Sequence, residues 1–143
     1  MIWAAITHLG GATATLLAMV GPWLMGGPLR GAARLALAVM VASHLGVQVM
    51  KRTVVRQRPS RRGHHPALVA EPDRFSFPSG HACASMSLAL AYGLSFPTLL
   101  LPLLALAGLI GFSRVRLAVH YPGDVVVGQL LAAAAALGVL AVW

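Results

Sequence analysis

A chain of 143 residues is the length of one domain, but 58% hydrophobic residues, 10% charged residues and a mean hydropathy of +0.79 exclude an ordinary water-soluble one. Eleven Lys and Arg against three Asp and Glu give a net charge of +8, which alone would suggest nucleic acid or an anionic surface. Such sparse charge cannot cover a soluble surface, so lipid is the expected solvent. The single cysteine, Cys83, excludes an intrachain disulfide and reads as a small buried hydrophobe.

Residues 1–29 carry no charged side chain, and 2–25 would extend about 36 Å as a helix at about 1.5 Å per residue, enough to cross a bilayer core. Without an N-terminal Lys or Arg, and longer than a signal's apolar region, this run reads as a retained span. Gly26, Gly27 and Pro28 interrupt the pattern, Arg30 and Arg34 mark a polar turn, and 35–50 forms a second span. From 51 to 78 a basic loop with His64 and His65 faces water. The stretch 75–113 is uncharged for 39 residues, too long for one crossing, and Ser95 to Pro97 divides it into spans 79–95 and 97–113. A polar connection, 114–124, precedes a last span, 125–143. The expected fold is all-α: a polytopic membrane helical bundle of about five transmembrane helices in a single domain, 1–143.

With five crossings, the loops 51–78 and 114–124 emerge on the same side. That side holds nine of the eleven cations with His81, His120 and Asp124, whereas Arg30 and Arg34 lie opposite. A site at one membrane face would segregate charge this way, and so would a basic anchor for anionic lipid heads.

Three spacings sharpen the reading. In KRTVVRQRP, Lys51 precedes Arg58 by seven residues and Pro59 follows. If the second helix runs on past Met50, the two cations stack on one face about 10 Å apart and converge on one anion; alone, the pattern fits a juxtamembrane basic cluster as well. Pro78, Ser79, Gly80 and His81 stand where a loop enters an apolar helix. Ser79 is a natural N-cap, and helix N-terminal N–H groups with a serine hydroxyl suit an anion. In SRVRLAVHYPGD, Arg114 precedes His120 by six residues and Asp124 follows four later, in the opening turn of the last span. A carboxylate bonded to one imidazole nitrogen would leave the other free as a nucleophile.

Together the motifs K-x6-R-P, P-S-G-H and S-R-x5-H-x3-D resemble the signature of the type 2 phosphatidic acid phosphatase family, the lipid phosphate phosphatases. Eleven positions match: Lys51, Arg58, Pro59, Pro78, Ser79, Gly80, His81, Ser113, Arg114, His120 and Asp124. The resemblance spans about residues 35–143 and implies a membrane hydrolase of lipid phosphate or diphosphate esters. His120 would attack phosphorus to give a phosphohistidine, Asp124 would orient its ring, and His81 would protonate the leaving oxygen. Lys51, Arg58, Ser79, Gly80 and Arg114 would bind phosphate, with no metal or other cofactor. The implied partners are lipid phosphate or isoprenoid (di)phosphate substrates and membrane lipids, not nucleic acid.

The family core commonly has six helices, and the N-terminal one is expected to be missing here, either replaced by a partner copy in a homodimer or leaving a wider lateral entrance. The positive-inside rule would put the nine-cation face in the cytoplasm. The resemblance implies instead a bacterial inner or plasma membrane protein whose site faces the periplasm or exterior. Two other readings remain at this stage: a vanadate-dependent haloperoxidase-like enzyme, and a noncatalytic protein that binds anionic lipid.

Overall fold

The computed structural model describes residues 2–62, 67–71 and 73–143; His64 and His65 lie outside them. The described residues form six α-helices and no strand. The first apolar run is two helices, α1 (Ile2–His8) and α2 (Ala12–Met25), bent by 46° at the break, where one helix was expected. Gly10 and Gly11 explain the break, because glycine is a poor helix former. A Cβ on Gly10 would come within 2.6 Å of Ile110 Cγ2, so the kinked chain packs where a side chain could not.

Helix α3 (Gly27–Thr53) is longer than the expected 35–50. Pro28 sits in its first turn, where a missing N–H costs nothing, so the Gly-Gly-Pro sequence starts the helix and is no separate turn. Arg30 and Arg34 are therefore helical. Arg30 Nε donates to the Trp23 carbonyl at 3.1 Å, and the Arg34 guanidinium lies 5.6 Å from the Trp23 ring centre. Helix α4 (Gly80–Ser95) follows the long loop, and a 3₁₀ turn at Pro97–Leu99 leads into α5 (Leu100–Arg116). Arg114 and Arg116 thus belong to the end of a helix, not to the polar connection. The chain closes with α6 (Pro122–Leu140).

Three helical stretches, α3, Pro97–Arg116 and α6, are long and apolar enough to cross a membrane, and the bent α1–α2 pair counts as a fourth. The fifth expected span, 79–95, corresponds to α4, which is shorter. Helix α4 has 16 residues, about 24 Å against a hydrocarbon core of about 30 Å. Its buried side is made of Ala82, Cys83, Ala84, Ser87, Ala89 and Ala91, and α3, α5 and α6 pack around it. Small residues let neighbouring backbones approach closely, so α4 is enclosed largely by protein. Leu45, Val49, Leu101, Leu130 and Leu137, by contrast, turn their apolar side chains outward, as lipid-facing surfaces do. The molecule is an all-α integral membrane bundle.

Two apolar clusters hold it together: Leu35, Ala36, Val39, Ala91 and Ala136 in one, and Val47, Cys83 and Ala132 in the other. Both join α3, α4 and α6, and they place the polar ends of α3, α4, α5 and α6 around one region.

Candidate active site

Lys51 occupies the last turn of α3 and is buried. The helix ends at Thr53, so Arg58 is not stacked above Lys51 on a shared helix face as expected. Residues 54–58 run on in non-helical conformation, Gln57 bridges Phe75 antiparallel, and the Ser76 N–H donates to the Arg56 carbonyl at 2.9 Å. This pairing brings in Asp73, which sequence reasoning missed. Its carboxylate takes Lys51 Nζ on one oxygen and Arg58 Nη2, at 3.0 Å, on the other. A carboxylate, rather than a helix face, is what makes the two cations converge. Burial alone would raise the Asp73 pKa, but Lys51 and Arg58 outweigh it and hold the carboxyl below its usual range.

Arg58 is fully buried; its Nη1 donates to the Val119 carbonyl at 2.7 Å and lies 3.3 Å from His120 Nε2. His120 reaches that point because α5 ends in a tight wrap. The Val119 and His120 N–H groups both donate to the Arg114 carbonyl at 3.2 Å, with Ala118 in the left-handed region at φ 56°. The spacing between Arg114 and His120 is therefore the length of this helix-terminating turn, which ties the histidine backbone to that of the arginine.

The His120 ring is fixed chiefly by a residue the motifs did not reveal. Nδ1 lies 2.6 Å from the Ser76 carbonyl, which can only accept, so Nδ1 carries the proton and Nε2 presents its lone pair. Asp124 Oδ2 is 3.6 Å from the same nitrogen, beyond hydrogen-bond range. The expected direct bond from Asp124 to His120 is thus replaced by the backbone contact, and for a local reason. Asp124 is the third residue of α6; Oδ2 caps the Tyr121 N–H at 2.8 Å while Oδ1 accepts from Arg56 Nη1 at 2.9 Å. Arg56 also lies 4.1 Å from the Tyr121 ring centre. Asp124 remains close enough to act on His120 through its charge.

The Pro78–His81 segment docks on the same helix. The Ser79 N–H donates to the Asp124 carbonyl at 2.9 Å, and a Cβ on Gly128 would stand 2.5 Å from the Ser79 carbonyl oxygen. Only glycine at 128 allows α6 to press so closely on the start of α4. The Ser79 hydroxyl is buried and accepts from the Ala82 N–H at 3.4 Å; it serves as a helix cap and keeps its own O–H to donate. Gly80 and His81 lie in the first turn, where N–H groups have no intrahelical acceptor. His81 shares a cavity lining with Lys51, Asp73 and Gly80.

Arg114 completes the cluster. Its guanidinium is buried, with Nη1 donating to Thr7 Oγ1 at 2.7 Å, while Nε and Nη2 have no partner among the described residues. Leaving buried cationic donors unmet is costly, and an oxyanion would satisfy both. Thr7, from α1, was not foreseen: nothing in an apolar N-terminal helix marks one threonine as part of a distant site.

Burial pushes the His120 pKa down to about 4, with Arg58 and Arg114 reinforcing the shift and Asp124 opposing it. At neutral pH the ring is uncharged, and its Nε2, which accepts from Arg58 Nη1 at 3.3 Å, can attack an electrophile once the guanidinium turns to the anion held by the surrounding cations. The arrangement offers a neutral nitrogen nucleophile, buried guanidinium donors, helix N-terminal amides and a second histidine.

The family model described as PAP2 superfamily matches residues 32–143. A decaprenylphosphoryl-5-phosphoribose phosphatase of Mycolicibacterium smegmatis is 38% identical over 132 residues, covering 87% of this chain and 68% of its own length. The protein of the same description from Mycobacterium tuberculosis is 43% identical over 98 residues, 64% of this chain and 50% of its own; the chain spans half of that relative. The crystal structure of Aquifex aeolicus LpxE superposes with a TM-score of 0.81 at 22% identity, over 97% of this chain and 83% of that one, and shares the fold.

Proposed function

Since the chain belongs to the PAP2 superfamily, we propose that it is a membrane phosphatase that hydrolyses a lipid-linked phosphate ester through a phosphohistidine on His120, without a metal ion. The observation that carries this reading is the buried Arg114 guanidinium with two unmet donor nitrogens, tied through its carbonyl to the backbone N–H of a neutral His120 that presents Nε2. Two relatives are described as phosphatases of a phosphoribose carried on decaprenylphosphate, which supports an isoprenoid-linked phosphate among the candidate substrates.

In this reading the phosphoryl group sits among Arg58, Arg114, Lys51 and the N–H groups of Gly80 and His81. His120 Nε2 attacks phosphorus in line, the phosphorus–oxygen bond to the leaving group breaks, and His81, which takes up a proton with the negative charge of the bound phosphate beside it, passes that proton to the departing oxygen. His81 then accepts a proton from water as the water oxygen attacks the phosphohistidine, which frees phosphate and restores His120. Asp124 offsets the positive charge that the His120 ring gains in the first step. Positioning and charge stabilisation provide the rest, and the buried cations do the work a metal does elsewhere.

The test is phosphate release in detergent from phosphatidic acid, phosphatidylglycerol phosphate and isoprenoid mono- and diphosphates, with His120→Ala and a chelator as controls. Wild type should release phosphate from at least one, His120→Ala from none, and the chelator should change nothing. Strong chelator inhibition would contradict the metal-free mechanism, and activity retained in His120→Ala would contradict the nucleophile. In the same reading the cradle faces the exterior. A cysteine placed at the exposed Ala70 should react with an impermeant reagent on intact cells, and protection until lysis would reverse the orientation.

A further inference from the structure

A cavity of about 370 Å³ leaves the phosphate cradle and runs between α2 and α3. Its near end is Lys51, Asp73, Gly80 and His81; its far end is Leu16, Met19 and Met40. Between them stand His44 and Gln48. With Lys51 these two fall at positions i, i+4 and i+7 of α3, so all three lie on one helix face. His44 Nδ1 is buried and has no hydrogen-bond partner among the described residues.

Such a lining is wrong for a bare hydrocarbon tail, which would leave a buried imidazole nitrogen unsatisfied. It is also wrong for a second phosphate. The cationic side chain in the lining, Lys51, is already joined to Asp73, so further negative charge placed beside His44 and Gln48 would find no free counter-charge. What fits is a neutral group rich in hydroxyls, which can donate to or accept from both an imidazole and a carboxamide. The cavity also lies on the correct side. His81, the proton donor to the leaving oxygen in the reading above, lines it, so the leaving group rather than attacking water occupies it.

We propose that this cavity is a subsite for an uncharged, hydroxyl-bearing leaving group, a sugar or polyol esterified to the scissile phosphate. His44 and Gln48 hydrogen-bond its hydroxyls, and Leu16, Met19 and Met40 receive the first part of the lipid that follows. The inference rests on the phosphatase reading and narrows it: the phosphate removed is borne by a carbohydrate-like headgroup, and the lipid chain is attached farther along.

The experiment compares dodecyl phosphate with dodecyl glycosides phosphorylated on the sugar, a pentoside 5-phosphate and a hexoside 6-phosphate, using the whole chain in detergent. Wild type should prefer a glycoside phosphate by about tenfold or more in kcat/KM. His44→Leu and Gln48→Leu should each reduce that preference several-fold, chiefly through KM for the glycoside, and the double variant should abolish it. Gln48 is exposed, so its replacement tests the idea without disturbing a packed core. Equal turnover of all three substrates by wild type, or an unchanged preference in both variants, overturns the subsite and leaves the phosphatase reading standing. Release of phosphate from none of the three overturns that reading itself.

Discussion

Arg114 and Thr7, 107 positions apart, are joined by a hydrogen bond of 2.7 Å in which Nη1 donates to the threonine hydroxyl. The family match begins at residue 32, so the segment before it reaches into the cradle and fixes the orientation of an arginine whose remaining donors face an anion. Thr7→Val keeps the shape and removes the acceptor. A hydrogen bond to a charged group contributes about 1.5–3 kcal/mol, so kcat/KM should fall on the order of tenfold. Arg114→Ala removes the anion donors as well and should lose on the order of a hundredfold or more, the scale of about 2.7–4 kcal/mol for one donor of an oxyanion site. Phosphate-release kinetics decide; Thr7→Val within twofold of wild type would show that α1 does not position Arg114.

Asp124→Asn should be milder than the usual histidine–aspartate pairing suggests. Where an aspartate alone fixes the catalytic tautomer, its amide variant loses about 10⁴ in kcat. Here the Ser76 carbonyl at 2.6 Å holds the proton on Nδ1, and Asp124 stands at 3.6 Å. The variant keeps the tautomer and loses only the charge opposite the developing imidazolium, so a kcat loss of roughly 10² is expected. A fall near 10⁴ would mean that the ring depends on Asp124 for its tautomer after all. Retention of the fold is checked through the Tyr121 cap, which an asparagine side-chain oxygen can still form.

The cradle was legible in the sequence because its charged members recur at set distances from features that punctuate helices. Arg114 and His120 are separated by the length of a helix-ending turn, and His120 and Asp124 by the step into the next helix. The supporting parts were not legible. Ser76 acts through its carbonyl, which every residue carries, and Thr7 belongs to an apolar segment with no distinguishing pattern. Asp73 left a faint trace as one of only three acidic residues, set in a basic loop. In the fold, Gly10 and Gly11 mark the break in the first span, but an uncharged run of bilayer length reads as one helix; Gly26, Gly27 and Pro28 read as an interruption although a first-turn proline starts a helix. Arg58 was placed on a helix that its own neighbours, Val54 and Val55, do not continue.

Gly128→Ala tests whether the docking of α6 on α4 holds the motif segments in register. The added methyl would stand 2.5 Å from the Ser79 carbonyl oxygen and 3.4 Å from the Cys83 nitrogen, both backbone atoms that cannot rotate away. Overpacking of this kind costs about 1–3 kcal/mol, and the shift would also strain the Ser79–Asp124 bond. The variant should unfold at lower temperature in detergent and lose activity more than tenfold. Gly138, whose Cβ would meet nothing within 4 Å, supplies the control: Gly138→Ala should match wild type in both measurements. Wild-type activity in Gly128→Ala would show that the two helices can separate without disturbing the cradle.

The protonation of His120 separates this site from an ordinary interfacial histidine. Buried beside Arg58 and Arg114, its pKa stands at about 4 against a usual 6.5. Between those two values the unfolded chain binds a proton that the folded protein does not, so this group makes stability increase with pH across that window, and acidification toward 4 removes the gain. In activity the sign is the same: the attacking form is the neutral one, present throughout pH 5–8 and lost only as the pH falls through about 4. A phosphate monoester has its own pKa near 6, so rate profiles mix substrate and enzyme; histidine NMR of the phosphate-free protein does not. The His120 resonance, assigned with His120→Ala, should stay at its neutral position from pH 8 down to 5. A midpoint near 6.5 would mean that the ring is solvated in the free protein, and the buried neutral nucleophile would have to be abandoned.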